Sequence, residues 1–131
     1  MTARVRSITF DCVDPAALAA FWAAVTGRTV VDDGTAAEPE YLLADPADPL
    51  QPNLLFLPVP EGKAVKNRLH LDLQPTDHPR ETEVDRLLSL GATLLADHRT
   101  ADGTGWAVLA DPEGNEFCVE RSAEERATTG G

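Results

Sequence analysis

In the stretch RLHLDL, residues 68–73, an imidazole at His70 and a carboxylate at Asp72 stand two residues apart in an alternating polar and apolar run. On a strand, that spacing puts both side chains on one face. A histidine beside a carboxylate can pass a proton, hold a polar ligand or lend donors to a metal ion. The competing reading is a half-buried strand that turns its polar residues to water, where such alternation is ordinary.

Other residues bear on the choice. Lys66, Asn67 and Arg68 form a polar approach to this strand in a chain with only 11 Lys and Arg. They either meet a ligand or pair with the many acids and hold the connection PEGKAVKN. Trp106 follows the glycine-rich ADGTG, a loop we expect to be mobile enough for a lid, so its ring either stacks on a ligand or packs in the core. Trp22, inside a helix stripe, reads as core, and His78 and His98 read as surface residues. Cys12 and Cys118 lie inside apolar runs (FDCV, EFCVE) and not in a CxxC or a spaced framework, which argues against structural zinc and a stapled scaffold. The sequence holds no Walker A, nucleophile elbow, HExxH or dinucleotide fingerprint.

The elements that must position these residues come in a repeat. Asp14 and Gly27, then Asp77 and Gly91, read as N-cap and C-terminal stop of two helices. Leu18, Phe21, Trp22 and Val25 make the buried stripe of the first, with Pro15 at the tolerated first position. Val84, Leu87 and Leu88 make that of the second, while Arg80, Glu81, Glu83 and Asp85 fall outside it. Strands precede and follow each helix: VRSITFDCV, RTVVDD, YLLADP and NLLFLPV in the first half, RLHLDLQ, ATLLAD, WAVLADP and EFCVE in the second. The unit is βαβββ, used twice. We expect one domain over residues 1–131, an α+β fold with module one at about 4–62, module two at about 66–120 and a frayed tail over 121–131.

At 131 residues the chain can bury one real core without disulfides. Its net charge of −11 argues against nucleic acid and permits a cationic ligand, though solubility alone also explains surface carboxylates. MTARVRSITF holds no apolar stretch of a secretory signal, and no run approaches the ~20 apolar residues of a membrane span. We expect a cytoplasmic protein that meets no membrane.

The doubled unit, DPAALAAFWAAVTG after strand one and LADPEGNEFCVE at the end together resemble the vicinal oxygen chelate superfamily, which holds glyoxalase I, extradiol dioxygenases, and fosfomycin and bleomycin resistance proteins. VKNRLHLDL with DPEGNEFCVE looks like the glyoxalase-like proteins common in actinobacteria. The resemblance implies that the two modules curl into a cup-shaped, barrel-like mixed sheet around a cavity, and that such chains pair as homodimers. Matching the helix caps sets Ser7, Thr9 and Asp11 equivalent to His70, Asp72 and Gln74. We therefore expect Thr9 and Asp11 to face His70 and Asp72 as the floor of a ligand site, with Ser7 and Arg68 beside them and Glu120 and Trp106 near the rim.

The resemblance also implies where a divalent ion would sit: Ser7, His70, Leu57 or Leu55, and Cys118. Of these only His70 is a good ligand for the oxygen-rich site of the family, so the sequence predicts no cofactor. Cys118 reads as a half-buried thiol packing as a hydrophobe. The remaining route to a metal is His70 with Glu120, joined by Asp72. Two functions follow. One is a small-molecule binder that sequesters a polar or cationic organic ligand, as the resemblance to bleomycin resistance proteins implies. The alternative is a lyase, isomerase or dioxygenase-type enzyme in which His70 with Asp72 or Glu120 acts as acid and base, with or without a metal.

Overall fold

Asp14 accepts a hydrogen bond from the Ala17 amide at 3.1 Å, and after the twelve residues of the helix the chain reaches Gly27 at φ 75°, which turns it away. These two signals bound α1, Pro15–Thr26. The structure, a computed structural model, describes residues 1–129. The chain divides into two compact units, 1–63 and 64 onward.

In the first unit α1 is joined by β1 (Ser7–Cys12), β2 (Thr29–Asp32), β3 (Tyr41–Ala44) and β4 (Asn53–Pro58), in the sheet order β1-β4-β3-β2. β1 and β4 run parallel, in a register that pairs Thr9 with Leu55 and Asp11 with Leu57, while the other neighbours are antiparallel. α1 buries Leu18, Ala19, Phe21 and Trp22 against the sheet. Phe10 stacks on Phe56 at 4.9 Å between ring centroids and meets Trp22 at 5.4 Å, so this core is aromatic. The other face of β1 carries Ser7, Thr9 and Asp11, the last two exposed.

The second unit repeats the plan with β5 (Leu71–Leu73), α2 (Arg80–Ser89), β6 (Thr93–Asp97), β7 (Ala107–Ala110) and β8 (Glu116–Val119), in the order β5-β8-β7-β6. β5 and β8 are again parallel, pairing Asp72 with Cys118. Val84 and Leu87 from α2 are buried with Leu109, Phe117 and Val119, so this core is mostly aliphatic. The repeat is therefore present as two four-stranded mixed sheets, and neither sheet closes into a barrel.

Four local expectations are corrected. β5 begins at Leu71, which leaves Arg68 and His70 ahead of the ladder. The reason lies in its neighbour: the Asn115 amide donates to Asp111 Oδ1 at 3.0 Å and the Asn115 carbonyl accepts from the Asp111 amide at 2.9 Å, so that backbone has nothing left for residues before 71. Asn67 is held by side chains instead, donating to Asn115 Oδ1 at 2.8 Å and, through its amide, to Glu116 at 3.3 Å.

Second, α2 starts after Pro79 and Asp77 does not cap it; the Arg80 amide donates to Glu125 Oε1 at 2.7 Å. Third, that carboxylate comes from a helix, α3 (Ala123–Thr129), where the sequence reading expects a frayed tail. Ser122 and Glu125 form a capping box: the Ser122 amide donates to Glu125 Oε1 at 3.0 Å and the Glu125 amide to Ser122 Oγ at 3.1 Å. Gly130 and Gly131, the rest of that tail, lie outside the described residues.

Fourth, Arg80 and Glu83 are buried although they fall outside the apolar stripe. Arg80 donates to the carbonyls of Thr104 and Gly105, each at 2.9 Å, and of Gly103 at 3.5 Å. The ADGTG loop is thereby fixed to the helix and is no free lid. Gly105 is required at its bend, since a Cβ there would stand 1.9 Å from the His98 carbonyl oxygen at a φ of 86°.

Candidate functional site

The parallel pairing of β5 with β8 sends Leu71, Leu73, Phe117 and Val119 to one face of the sheet and Asp72, Cys118 and their neighbours to the other. On that second face His70 Nε2 stands 3.4 Å from Asp72 Oδ1. Cys118 Sγ joins them, and the three donor atoms all lie within 4.8 Å of one another. Both His70 and Asp72 keep about half of their side chains in contact with solvent, 42% and 51%. The expected pair is thus together and accessible, on a sheet whose opposite face is locked in the core.

The environment of Cys118 is electrostatically distinct. Burial, the Asp72 carboxylate that accepts from the thiol, and the nearby charge of Glu120 push its pKa up to about 11, against a smaller opposing effect of Lys66. The group is a neutral thiol at pH 7 and a poor nucleophile. Its placement was legible in the sequence only in outline: first and last strands pair in each module, and the register across that pair sets Cys118 beside Asp72.

Glu120 is engaged elsewhere, accepting from Arg126 Nη2 of α3 at 3.2 Å, and is not part of the cluster. Trp106 precedes β7, is 46% exposed, and meets the His98 ring at a tilt of 37° with centroids 4.9 Å apart. Arg68 is exposed ahead of β5, outside the ladder. Ser7, Thr9 and Asp11 line the open face of β1 in the first unit, opposite Asn53, Leu55 and Leu57.

A hard divalent ion in an oxygen-rich site does not fit these residues. Of the positions that the resemblance implies, Leu57 and Leu55 offer no donor, Ser7 offers a neutral hydroxyl, and Cys118 a sulfur.

The sequence reading missed a second polar network. His78, expected at the surface, has its Nδ1 on Asp77 and its Nε2 2.7 Å from Glu83 Oε1, while Arg86 Nε donates to the same oxygen at 2.7 Å. The hydrogen bonds to Glu83 and Asp77 hold the His78 pKa above its usual value. Burial opposes the charge on Glu83, but the bonds from Arg86 and His78 outweigh it and leave its carboxyl below the usual range. A cleft of about 470 Å³ lies beside this network, lined by His78 and Pro79 with Ser122, Glu124, Glu125 and Thr128. In the first unit, a cleft of similar size is lined by Asp33, Glu38 and Glu40 with Leu57 and Pro58. Partial burial, a hydrogen bond with Asp33 and the charges of Asp33 and Glu38 raise the Glu40 pKa there. Among the described residues no helix is long and apolar enough to cross a membrane.

The family model described as a glyoxalase-like domain matches residues 7–120. Among solved structures, a glyoxalase/bleomycin resistance protein/dioxygenase family enzyme from Burkholderia phytofirmans PsJN is 23% identical, with a TM-score of 0.64 over 89% of this chain and 97% of that one. A variant of the fosfomycin resistance protein FosX from Listeria monocytogenes, complexed with Mn(II) and 1S,2S-dihydroxypropylphosphonic acid, gives 0.72 at 13% identity over 97% and 99%. The oxidase ChaP-H2 gives 0.64 at 20% identity over 93% and 94%. At these identities the likeness shows the fold. No curated protein matches the chain in sequence.

Proposed function

The chain belongs to the glyoxalase-like domain family, and from that premise we propose that it is a small-molecule-binding protein that sequesters a polar or cationic organic ligand without the family's hard-metal site. The observation that carries this reading is the open face of β5 and β8, where His70 and Asp72 stay half exposed at 3.4 Å from each other beside a protonated thiol. Such groups offer hydrogen bonds and a negative charge to a ligand and no strong nucleophile. The net charge of −11 favours a cation in the encounter.

In this reading the Asp72 carboxylate is the anchor, His70 a hydrogen-bond partner, and Arg68, Trp106 and Glu120 flank them. The protein works in the cytoplasm as a homodimer. A thermal-shift screen in chelator, with organic amines against neutral and anionic compounds of equal size, tests the proposal. Stabilisation by amines that Asp72→Asn abolishes supports it; stabilisation by none of the cations, or equally in the variant, removes it.

One contact favours the second reading, an acid and base enzyme of lyase or isomerase type: the same His70–Asp72 distance orients an imidazole for proton transfer. Solvent-deuterium exchange into a bound carbonyl compound, lost in His70→Ala, would establish it.

A further inference from the structure

The face of the second sheet that carries Asp72 continues for one more position along β8. The Glu120 amide donates to the Leu73 carbonyl at 2.8 Å, which extends the parallel register past Val119 and puts Glu120 two residues beyond Cys118, on the same side as Asp72. The charge of Glu120 is felt at the Cys118 thiol, so its carboxylate belongs to this face. With strands about 4.8 Å apart and a rise of about 3.3 Å per residue, the backbones of Asp72 and Glu120 stand about 8 Å apart on the diagonal. The two ends of a short diamine would match that spacing. Glu116, on the other side of Cys118, is turned to the connection ahead of β5, where it accepts from the Asn67 amide at 3.3 Å.

Glu120 already holds a cation of the chain's own. Arg126 Nη2 donates to Glu120 Oε2 at 3.2 Å, and the two side chains are 38% and 35% exposed. The short helix α3 brings the arginine there: its amide closes the first turn on the Ser122 carbonyl at 3.0 Å, and the preceding residue, Glu125, ties α3 to α2 through the Arg80 amide at 2.7 Å. A guanidinium thus stands where the second ammonium of a diamine would sit, whereas Asp72 meets the His70 ring and a neutral thiol. Resting on the amine-binding reading above, we propose that Arg126 is a specificity-determining residue: as an internal counterion at Glu120, it restricts the site to ligands with one positive charge and gives diamines no second anchor. The restriction comes from charge balance and not from the strength of an exposed ion pair. With the pair closed, a second ammonium meets a neutralised carboxylate and a neighbouring guanidinium; with Arg126 removed, it meets a free carboxylate.

The test is calorimetric titration of the full chain, in chelator and at low ionic strength, with hexylamine and hexamethylenediamine as probes. The native chain should bind the two alike, within the factor of about two that a ligand with identical ends brings. Arg126→Gln should shift the ratio of the two affinities toward the diamine by about fivefold, the most that an exposed ion pair ordinarily holds back. Arg126→Lys, which keeps the charge, should behave as the native chain, and adding Glu120→Gln to Arg126→Gln should cancel the gain. Glu120→Gln alone leaves the guanidinium in place and should make the diamine the weaker ligand, a result that does not depend on how α3 tolerates replacement of its arginine. A native chain that already prefers the diamine by about fivefold or more, an unchanged ratio in Arg126→Gln, or a gain that survives Glu120→Gln would each overturn the proposal while leaving the amine site standing. Hexylamine bound by none of the chains, or bound equally after Asp72→Asn, would instead remove the reading beneath it and this inference with it.

Discussion

Thr9 and Asp72 hold equivalent places in two sheets of one topology, each on the first strand of its module, beside the parallel fourth. Across the ladder from Thr9 stands Leu55; across from Asp72 stands Cys118. The cores behind them differ as well, with Phe10, Phe56 and Trp22 in the first unit and mainly Leu and Val around Phe117 in the second. Duplication of a backbone has thus not duplicated its chemistry. The first unit backs an open face of two hydroxyls and a carboxylate with aromatic packing, whereas the second brings an imidazole, a carboxylate and a thiol together on that face. In that second set, one donor atom from each of His70, Asp72 and Cys118 lies within 4.8 Å of the other two.

The largest effect that can break this comparison is in the cores. Phe56→Ala should cost about 3–5 kcal/mol in urea unfolding, at the upper end of that range because Phe10 loses its stacking partner. Phe117→Ala should cost less within the same range. Equal losses would mean that the aromatic cluster adds nothing beyond buried area.

The helix starts come next. Glu125→Ala removes the acceptor of two amides, Arg80 and Ser122, and should lower stability by about 2 kcal/mol, whereas Asp14→Ala removes one cap and should cost about 1 kcal/mol. Asp77→Ala should leave α2 capped. A larger loss from Asp77→Ala than from Glu125→Ala in the same unfolding assay would refute this assignment.

The open faces give a smaller but more specific contrast. For any amine found in the thermal-shift screen, His70→Ala should weaken binding about tenfold, equivalent to about 1.4 kcal/mol. Thr9→Ala, on the equivalent strand, should weaken it by much less in the same calorimetric titration. An equal loss in both variants would erase the contrast between the two faces.

The smallest effect is a matter of pH. A histidine whose folded pKa is raised contributes stability that is complete below its unfolded pKa of about 6.5 and disappears as pH rises through the higher folded value. Glu83, lowered, contributes above about 4.5 and loses that contribution as pH falls through its folded value. The Tm difference between the native chain and His78→Gln should therefore be greatest between about pH 4.5 and 6.5 and shrink as pH rises beyond the folded histidine value. A difference independent of pH would mean that His78 matters only for packing.

Much of this was legible in the sequence because the governing interactions are local. Asp14 and Gly27 act within a single helical turn of their own positions, and the alternation in ITFDC and LHLDL sets which side chains face the core. What escaped was carried by partners distant in sequence. The cap of α2 comes from Glu125, 45 residues away, so Asp77 presented a plausible but false start. Arg80 read as solvated because its three carbonyl acceptors lie 23 to 25 residues downstream. The SAEE run at 122–125 did hold a capping-box signature, and its polar, glycine-ended context concealed it. For the site, His70 and Asp72 were visible as a pair, while the proximity of Cys118 needed the strand register.

The Arg80 guanidinium couples motions that would otherwise be separate. Opening the loop at 103–105 means withdrawing a buried cation from three carbonyls at once, and the same residue offers its amide to the α3 carboxylate. Local opening of the loop thus becomes a subglobal event shared with the first turn of α2. In hydrogen-exchange terms, the Thr100 and His98 amides, bonded to the Thr104 and Trp106 carbonyls, will exchange on the timescale of that helix turn and not on that of a surface loop. The Trp106 ring beside His98 is thereby held to a clock set by a helix turn some twenty-five residues earlier in the chain.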